Sequence, residues 1–125
     1  MPDPAPGSIV MGVLTMILVV AGCGGSPEPG TPDAGRGEEV YETACIACHA
    51  AGGAGIAGLG KPLANSEFVA GLTDVELATF IIIGRGTQHP ENTSGIAMPP
   101  RGGRPNLSDA AIADVVAYLR TLQDG

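Results

Sequence analysis

The sequence predicts an all-α domain with three main helices. Two kinds of observation carry this prediction: apolar residues recur at helical spacing near the end of the chain, and capping signals flank an earlier apolar stretch. No segment has a convincing strand pattern. The run Ile81, Ile82 and Ile83 is β-branched, but it lies inside the capped stretch.

The first helix is predicted over residues 36–47, with Val40, Tyr41 and Ala44 on one face. The second is predicted over residues 74–83, because Thr73 and Glu76 form a capping box before it and Gly84 suits a left-handed position after it.

The third helix is predicted over residues 109–122, with Ser108 as its N-cap. A short helical turn is expected near residues 66–70. Residues 52–60 and 87–105 are expected to be loops, since they are rich in glycine, proline and small polar residues.

The composition leaves two interpretations open: either much of the chain is loop, or something other than side chains fills the interior. The chain of 125 residues has two Tyr, two Phe and no Trp, but 20 Gly and 11 Pro. Small domains already bury a limited fraction of their surface, so a bound group is a reasonable filling for such a core. The net charge of −7 argues against nucleic acid as a partner, because nucleic acids reward clustered Lys and Arg.

Residues 9–21 form an apolar stretch that is too short for a membrane-spanning helix, which needs ~20 residues, and that fits the ~7–15 residues of a secretory signal core. It ends in Val-Ala-Gly before Cys23, which resembles a bacterial lipoprotein signal. We therefore expect a signal peptide over residues 1–22, a lipid-anchored flexible tether over 23–35 and a folded domain over 36–125. The alternative is an uncleaved anchor with an incidental cysteine.

The segment Cys45-Ile46-Ala47-Cys48-His49 matches the C-x-x-C-H pattern of covalent haem c attachment. Two thiols three residues apart lie on one face of a helical turn and can reach two vinyl groups of one porphyrin, while the adjacent histidine projects under the iron. A zinc site would need a second cysteine pair, which the sequence lacks, and a thioredoxin-like redox pair would need a βαβ context.

Elimination leaves two candidates for the second iron ligand. If the signal peptide is removed at Cys23, Met98 is the only methionine that remains, and His89 is the only histidine besides His49. Two prolines follow Met98 and stiffen its loop, whereas His89 lies in a polar loop. We favour Met98 and keep His89 as the alternative.

Further features accompany the motif in chain order. Gly37 and Tyr41 precede Cys45 at four-residue intervals, Tyr118 lies in the last predicted helix, and Met98 is followed by Pro-Pro. With C-x-x-C-H, these features make residues 36–125 resemble the small bacterial class I c-type cytochromes.

The resemblance implies a cytochrome c-like fold, with three main helices around one covalently bound haem c. In that family the last helix crosses the first at the glycine, here Gly37, and brings an aromatic residue, here Tyr118. A proline after the motif, here Pro62, supplies the carbonyl that accepts a hydrogen bond from the haem histidine, here His49. Met98 corresponds to the family's methionine ligand.

The implied function is single-electron transfer on the extracytoplasmic side of a membrane, without a small-molecule substrate, by an electron carrier rather than an enzyme. The expected partners are redox proteins or respiratory complexes. The expected location is the periplasmic side or the cell surface, where the lipid anchors the protein to the membrane. One alternative is a fixed electron-transfer subunit of a membrane-associated oxidase or dehydrogenase. Another is a haem sensor or peroxidase, which needs an open iron site.

The charged residues leave two interpretations open. Three acidic residues lie in the first predicted helix: Glu38, Glu39 and Glu42. Three arginines flank the loop that carries Met98, called the methionine loop below: Arg85, Arg101 and Arg104. They are either a solvated acidic face with scattered arginines, or they include an arginine that contacts a haem propionate or a basic rim that steers acidic partners.

Overall fold

The structure is a computed structural model that describes Gly7 and residues 30–125. The predicted signal peptide and Cys23 lie outside the described residues. Five α-helices follow one another in the described part: α1 (Ala34–Ala44), α2 (Ile46–His49), α3 (Glu67–Gly71), α4 (Asp74–Ile83) and α5 (Asp109–Thr121). Short 3₁₀ turns cover Ala51–Gly53 and Pro100–Gly103.

Helix α1 begins two residues earlier than the sequence predicted and ends earlier too. Asp33 is its N-cap, because the Asp33 side chain accepts a hydrogen bond from the Arg36 backbone N–H at 2.8 Å. The cap lies within the Pro- and Gly-rich stretch, which hid it. The helix ends at Ala44, and the remaining residues of the predicted helix belong to the separate turn α2 and its cap at Cys45.

The other two main helices follow the prediction closely. Thr73 and Glu76 form both hydrogen bonds of the capping box at the start of α4. Gly84 follows the helix with φ of 72° and ψ of −172°, a region that glycine adopts without a Cβ penalty. Ser108 caps α5, which ends one residue before the predicted end. The predicted short turn is α3, capped by Ser66.

Helices α1 and α5 cross at Gly37. A Cβ atom at Gly37 would stand 1.9 Å from the carbonyl oxygen of Asp114, so only glycine permits this separation of the two backbones. Beside the crossing, the rings of Tyr41 and Tyr118 pack with centroids 5.2 Å apart and planes at 55°. The crossing and its aromatic partner therefore lie where the family resemblance implied.

Polar contacts reinforce this crossing. Asp114 is buried at 8% exposure, and its carboxylate accepts hydrogen bonds from the Arg36 side chain at 2.9 and 3.0 Å and from the Asp33 backbone N–H at 2.7 Å. The hydrogen bonds from Arg36 hold the pKa of Asp114 below its ordinary value. The start of α1 is thereby tied to the middle of α5.

A second set of hydrogen bonds joins α5 to α3, to Leu72 after it and to the first residue of α4. The Arg120 guanidinium donates to the carbonyls of Val69 and Leu72, each at 2.6 Å, and to the Asp74 carboxylate at 2.8 Å. One planar side chain therefore hydrogen-bonds a carbonyl of α3, the carbonyl of Leu72 after that helix and an acidic group at the start of α4. This fixes α4 against α5, and with them two walls of the site described below.

Residues 30–125 contain no extended strand, only two isolated antiparallel bridges, Ile56 with Gly60 and Arg85 with Met98. The all-α prediction is confirmed for this part of the chain. None of its helices combines the length and apolar character needed to cross a membrane.

Candidate haem site

Helices α1, α4 and α5 and the loops between them enclose a cavity of about 480 Å³. This volume lies within the usual range of ligand pockets, ~300–1,000 Å³. Side chains of all three helices form apolar walls: Val40, Tyr41, Leu77, Ile81, Val115 and Leu119. The residues predicted to form the site all line this cavity: Cys45, Cys48, His49, Pro62 and Met98.

The two cysteines belong to neighbouring elements and line the same cavity. Cys45 closes α1, its half-buried side chain packs against the core, and α2 then carries Cys48 to an exposed position. Burial raises the pKa of the Cys45 thiol to about 11, so it is protonated at neutral pH. Both cysteines are free in the structure, so both thiols are available to a bound group.

The ring of His49 is oriented by a backbone carbonyl. Its Nδ1 lies 2.8 Å from the carbonyl oxygen of Lys61, which leaves Nε2 for a metal. The expectation that the carbonyl of Pro62 would take this role is wrong by one residue. A proline forces the residue before it into extended backbone, and this restriction orients the Lys61 carbonyl. Pro62 itself lines the cavity.

Close backbone packing brings this carbonyl to the motif. A Cβ at Gly60 would stand 2.0 Å from the Cys48 carbonyl oxygen, so the loop before Lys61 lies directly against α2. Sequence reasoning did not single out Gly60. Gly60 lies in the segment Gly-x-Gly-Lys-Pro, which contains no local signal for a contact with Cys48, twelve positions earlier.

Met98 is held by the end of helix α4. Its backbone exchanges two hydrogen bonds with Arg85, at 2.8 and 2.9 Å, and a Cβ at Gly84 would stand 2.4 Å from the Met98 carbonyl oxygen. Pro99 is extended, and Pro100 begins a 3₁₀ turn. The Met98 thioether is half-buried in the cavity wall.

His89, the alternative ligand from the sequence, has a different environment. It is exposed and does not line the cavity, and its Nδ1 accepts a hydrogen bond from the Glu91 backbone N–H at 3.2 Å. The structure therefore brings Met98, and not His89, to the cavity that holds the C-x-x-C-H residues.

The residues present fit a covalently attached haem. Two free thiols, an imidazole with one nitrogen unoccupied and a thioether line a cavity with predominantly apolar walls. One buried donor, Nε of Arg85, also lacks a hydrogen-bond partner among the described residues, as expected where an acidic group of a ligand belongs. Such a fold and cavity define a small haem protein of the c type.

Comparison with known proteins agrees. The family model described as "Cytochrome C oxidase, cbb3-type, subunit III" matches residues 32–119. Cytochrome c-555 of Chlorobaculum thiosulfatiphilum is 32% identical over 87 residues, which are 70% of this chain and 93% of that protein. Cytochrome c-555 of Prosthecochloris aestuarii is 36% identical over 90 residues, covering 70% of this chain and 85% of that protein.

A third relative is much longer. The cytochrome c subunit of the quinone alcohol dehydrogenase of Gluconobacter oxydans is 37% identical over 86 residues, covering 67% of this chain but 17% of that protein. The chain belongs to the c-type cytochromes, as a small monohaem class I member with one covalently bound haem c. It transfers single electrons and is a carrier rather than an enzyme.

Proposed function

We propose that Cys45 and Cys48 would attach the haem through thioethers and that His49 and Met98 would both bind its iron. One observation carries the proposal: these four side chains line the same cavity, and a backbone carbonyl already takes Nδ1 of His49. The remaining ring nitrogen is then the iron donor, and the hydrogen bond raises its basicity.

The haem supplies the redox chemistry, by cycling its iron between the ferrous and ferric states. The protein keeps water away and sets the potential. Buried residues from all three main helices line the cavity: Tyr41, Leu77, Ile112 and Val115. A Met98 thioether favours the ferrous state, so the potential is higher than with two histidine ligands.

We further propose that the chain works on the extracytoplasmic side of a membrane, anchored by a lipid on Cys23 after removal of residues 1–22. The tether spans residues 23–35, although helix α1 already begins at Ala34, and the cytochrome domain spans 36–125. The support comes from the sequence: a short apolar run, small residues and then a cysteine. Location outside the cytoplasm also fits covalent haem attachment.

A carrier that moves between membrane complexes is the favoured role. The likeness to the alcohol dehydrogenase cytochrome subunit supports a second candidate, a fixed electron-transfer subunit of a membrane-associated oxidase or dehydrogenase. Affinity capture from membranes separates the two, since a fixed subunit copurifies with a large catalytic partner in constant ratio and a carrier does not.

The ligand set is tested with Met98→Ala and the matched control His89→Ala. We expect Met98→Ala to remain folded and haem-loaded, to lose the sulfur-to-iron absorption band, to bind carbon monoxide when reduced and to have a lowered potential. His89→Ala is expected to change none of these. If His89→Ala opens the iron and Met98→Ala does nothing, the haem has two histidine ligands.

The same experiment examines the haem sensor or peroxidase alternative. That function requires an open or labile iron site, so reduced wild-type protein would bind carbon monoxide readily. We expect the wild type to resist carbon monoxide because Met98 occupies the sixth position. Rapid binding by the wild type would favour the sensor or peroxidase.

A further inference from the structure

Arg85 lies where the methionine loop meets the cavity. It follows Gly84 at the end of α4, and its backbone makes both hydrogen bonds to Met98, at 2.8 and 2.9 Å. Its side chain is 16% exposed and lines the cavity. The guanidinium carbon lies 5.0 Å from the ring centroid of Phe68 and 4.7 Å from that of Phe80, so two aromatic rings hold it in place.

The hydrogen-bonding capacity of this guanidinium is largely unused. Its terminal nitrogens make two long contacts with Glu91, 3.2 Å to the carboxylate and 3.4 Å to the backbone carbonyl. The Glu91 side chain is 70% exposed, so water weakens that pair. Nε is buried and has no partner within residues 30–125. A buried donor without an acceptor is costly, and native structures rarely retain one.

The other two arginines near the methionine loop already have hydrogen-bond partners. Arg101 donates to the Leu107 carbonyl at 2.7 Å and pairs with Asp109 at 2.7 Å. Arg104 donates to the Thr43 carbonyl. Of the three arginines that flank the loop, Arg85 is the one that combines a place in the cavity wall with a buried donor that lacks a described acceptor.

Beyond the two phenyl rings, the cavity wall next to Arg85 includes polar side chains. Asn92, Thr93 and Ser94 line the cavity beside Glu91, and the ammonium group of Lys61 donates to the Thr93 hydroxyl. A haem is apolar except at its iron and its two propionate carboxylates. The acidic groups therefore match this wall, where the Arg85 cation lies near neutral polar side chains.

We propose that Arg85 donates its Nε–H to a haem propionate and thereby acts as a positioning residue, fixing the haem relative to Met98. The inference rests on the proposed site in which Met98 binds the iron. Because one residue holds both the backbone of Met98 and a propionate, the haem and its sixth ligand share a common support. The cationic guanidinium also offsets the propionate charge near the iron, which favours the ferrous state.

The test compares Arg85→Gln, which removes the charge, with Arg85→Lys, which keeps it. Arg104→Gln is the matched control, because Arg104 also flanks the methionine loop but does not line the cavity and donates to the Thr43 carbonyl. Each protein is made as the full haem-loaded chain. Four properties are measured: covalent haem content, the sulfur-to-iron band, the propionate bending bands in resonance Raman spectra and the midpoint potential.

We expect Arg85→Gln to shift a propionate band and lower the potential while keeping its covalent haem and sulfur-to-iron band. Arg85→Lys should restore most of the potential but not the band position, since lysine lacks the planar fork. Arg104→Gln should match the wild type in both the propionate band position and the potential. If Arg85 had only a structural role, Arg85→Lys would not have a higher potential than Arg85→Gln.

Unchanged propionate bands and potential in both Arg85 variants would overturn the proposal while leaving the ligand assignment intact. Equal shifts in Arg85→Gln and Arg104→Gln would also overturn it, because the effect would then follow from the loss of any nearby positive charge. If the wild-type protein has no sulfur-to-iron band, the proposed Met98 ligand is contradicted instead. Should Arg85→Gln fail to load haem, Arg85→Lys still decides, since its propionate band must move.

Discussion

Gly37→Ala tests the helix crossing on which the haem cavity depends. The added Cβ would stand 1.9 Å from the Asp114 carbonyl oxygen, 2.5 Å from its carbon and 3.0 Å from the Cβ of Tyr118. The first two contacts are with backbone, so no side chain can rotate away. To restore an ordinary contact, the two helices must separate by about 1.5 Å.

The net cost follows from two opposing effects. Overpacking of this kind costs about 1–3 kcal/mol, and a contact with rigid backbone belongs at or above the upper end. Alanine recovers about 1 kcal/mol of helix propensity relative to glycine. We therefore expect a loss of about 2 kcal/mol or more in the free energy of unfolding, which lowers Tm by roughly 8–16 °C in a domain of this size.

Gly35→Ala is the matched control in the same helix. Its Cβ would meet only the Asp33 side-chain oxygen, at 3.3 Å, which can shift slightly. Thermal and denaturant unfolding of the haem-loaded proteins, followed by circular dichroism, gives both values. The reasoning is refuted if Gly37→Ala is as stable as Gly35→Ala, because the crossing would then leave room for a methyl group.

Two more predictions concern the hydrogen bonds of Asp114 and the lipid anchor at Cys23. Asp114→Asn should cost about 1–2 kcal/mol, at the lower end for a charged hydrogen bond because the Arg36 side chain is 43% exposed. The pKa of Asp114 is lowered in the folded state, so its contribution to stability is present above the ordinary carboxyl pKa and is lost as the pH falls through the folded-state pKa. The free energies of unfolding of the wild type and Asp114→Asn, measured in urea from neutral to acid pH, should therefore converge at low pH. The pair of Asp109 with Arg101 provides the control: the Asp109 side chain is 74% exposed, so Asp109→Asn should change stability by less than about 0.5 kcal/mol. Cys23→Ser should move the protein from the membrane fraction to the soluble fraction or block its processing, whereas normal processing with unchanged membrane binding would contradict the lipid anchor.

Local signals in the sequence were enough to predict the main helices. The bounds of α4 follow from Thr73, Glu76 and Gly84, and those of α5 from Ser108 and the apolar periodicity, because each signal acts within one or two turns. The early start of α1 was missed since Asp33 lies among glycines and prolines, where a capping aspartate resembles a loop residue.

Contacts between distant segments were harder to predict. The family resemblance implied that the carbonyl of Pro62 would orient His49. The direction of a carbonyl depends on the fold of the whole loop, and the acceptor is the carbonyl of Lys61. The contact of Gly60 with Cys48 and the pairing of Arg85 with Met98 join residues 12 and 13 positions apart. No periodicity or cap encodes such pairs. Only the assembled chain distinguishes Arg85 from the other two arginines.

The measurement that tests the central claim most directly is the intact mass of the purified, haem-loaded protein, combined with acidified acetone extraction. The account predicts a polypeptide carrying the mass of one haem that the solvent does not remove. Cys45→Ala and Cys48→Ala should each weaken or abolish this attachment, since each removes one thioether. Wild-type protein whose haem extracts freely, or whose mass equals that of the bare chain, would contradict covalent attachment at these cysteines.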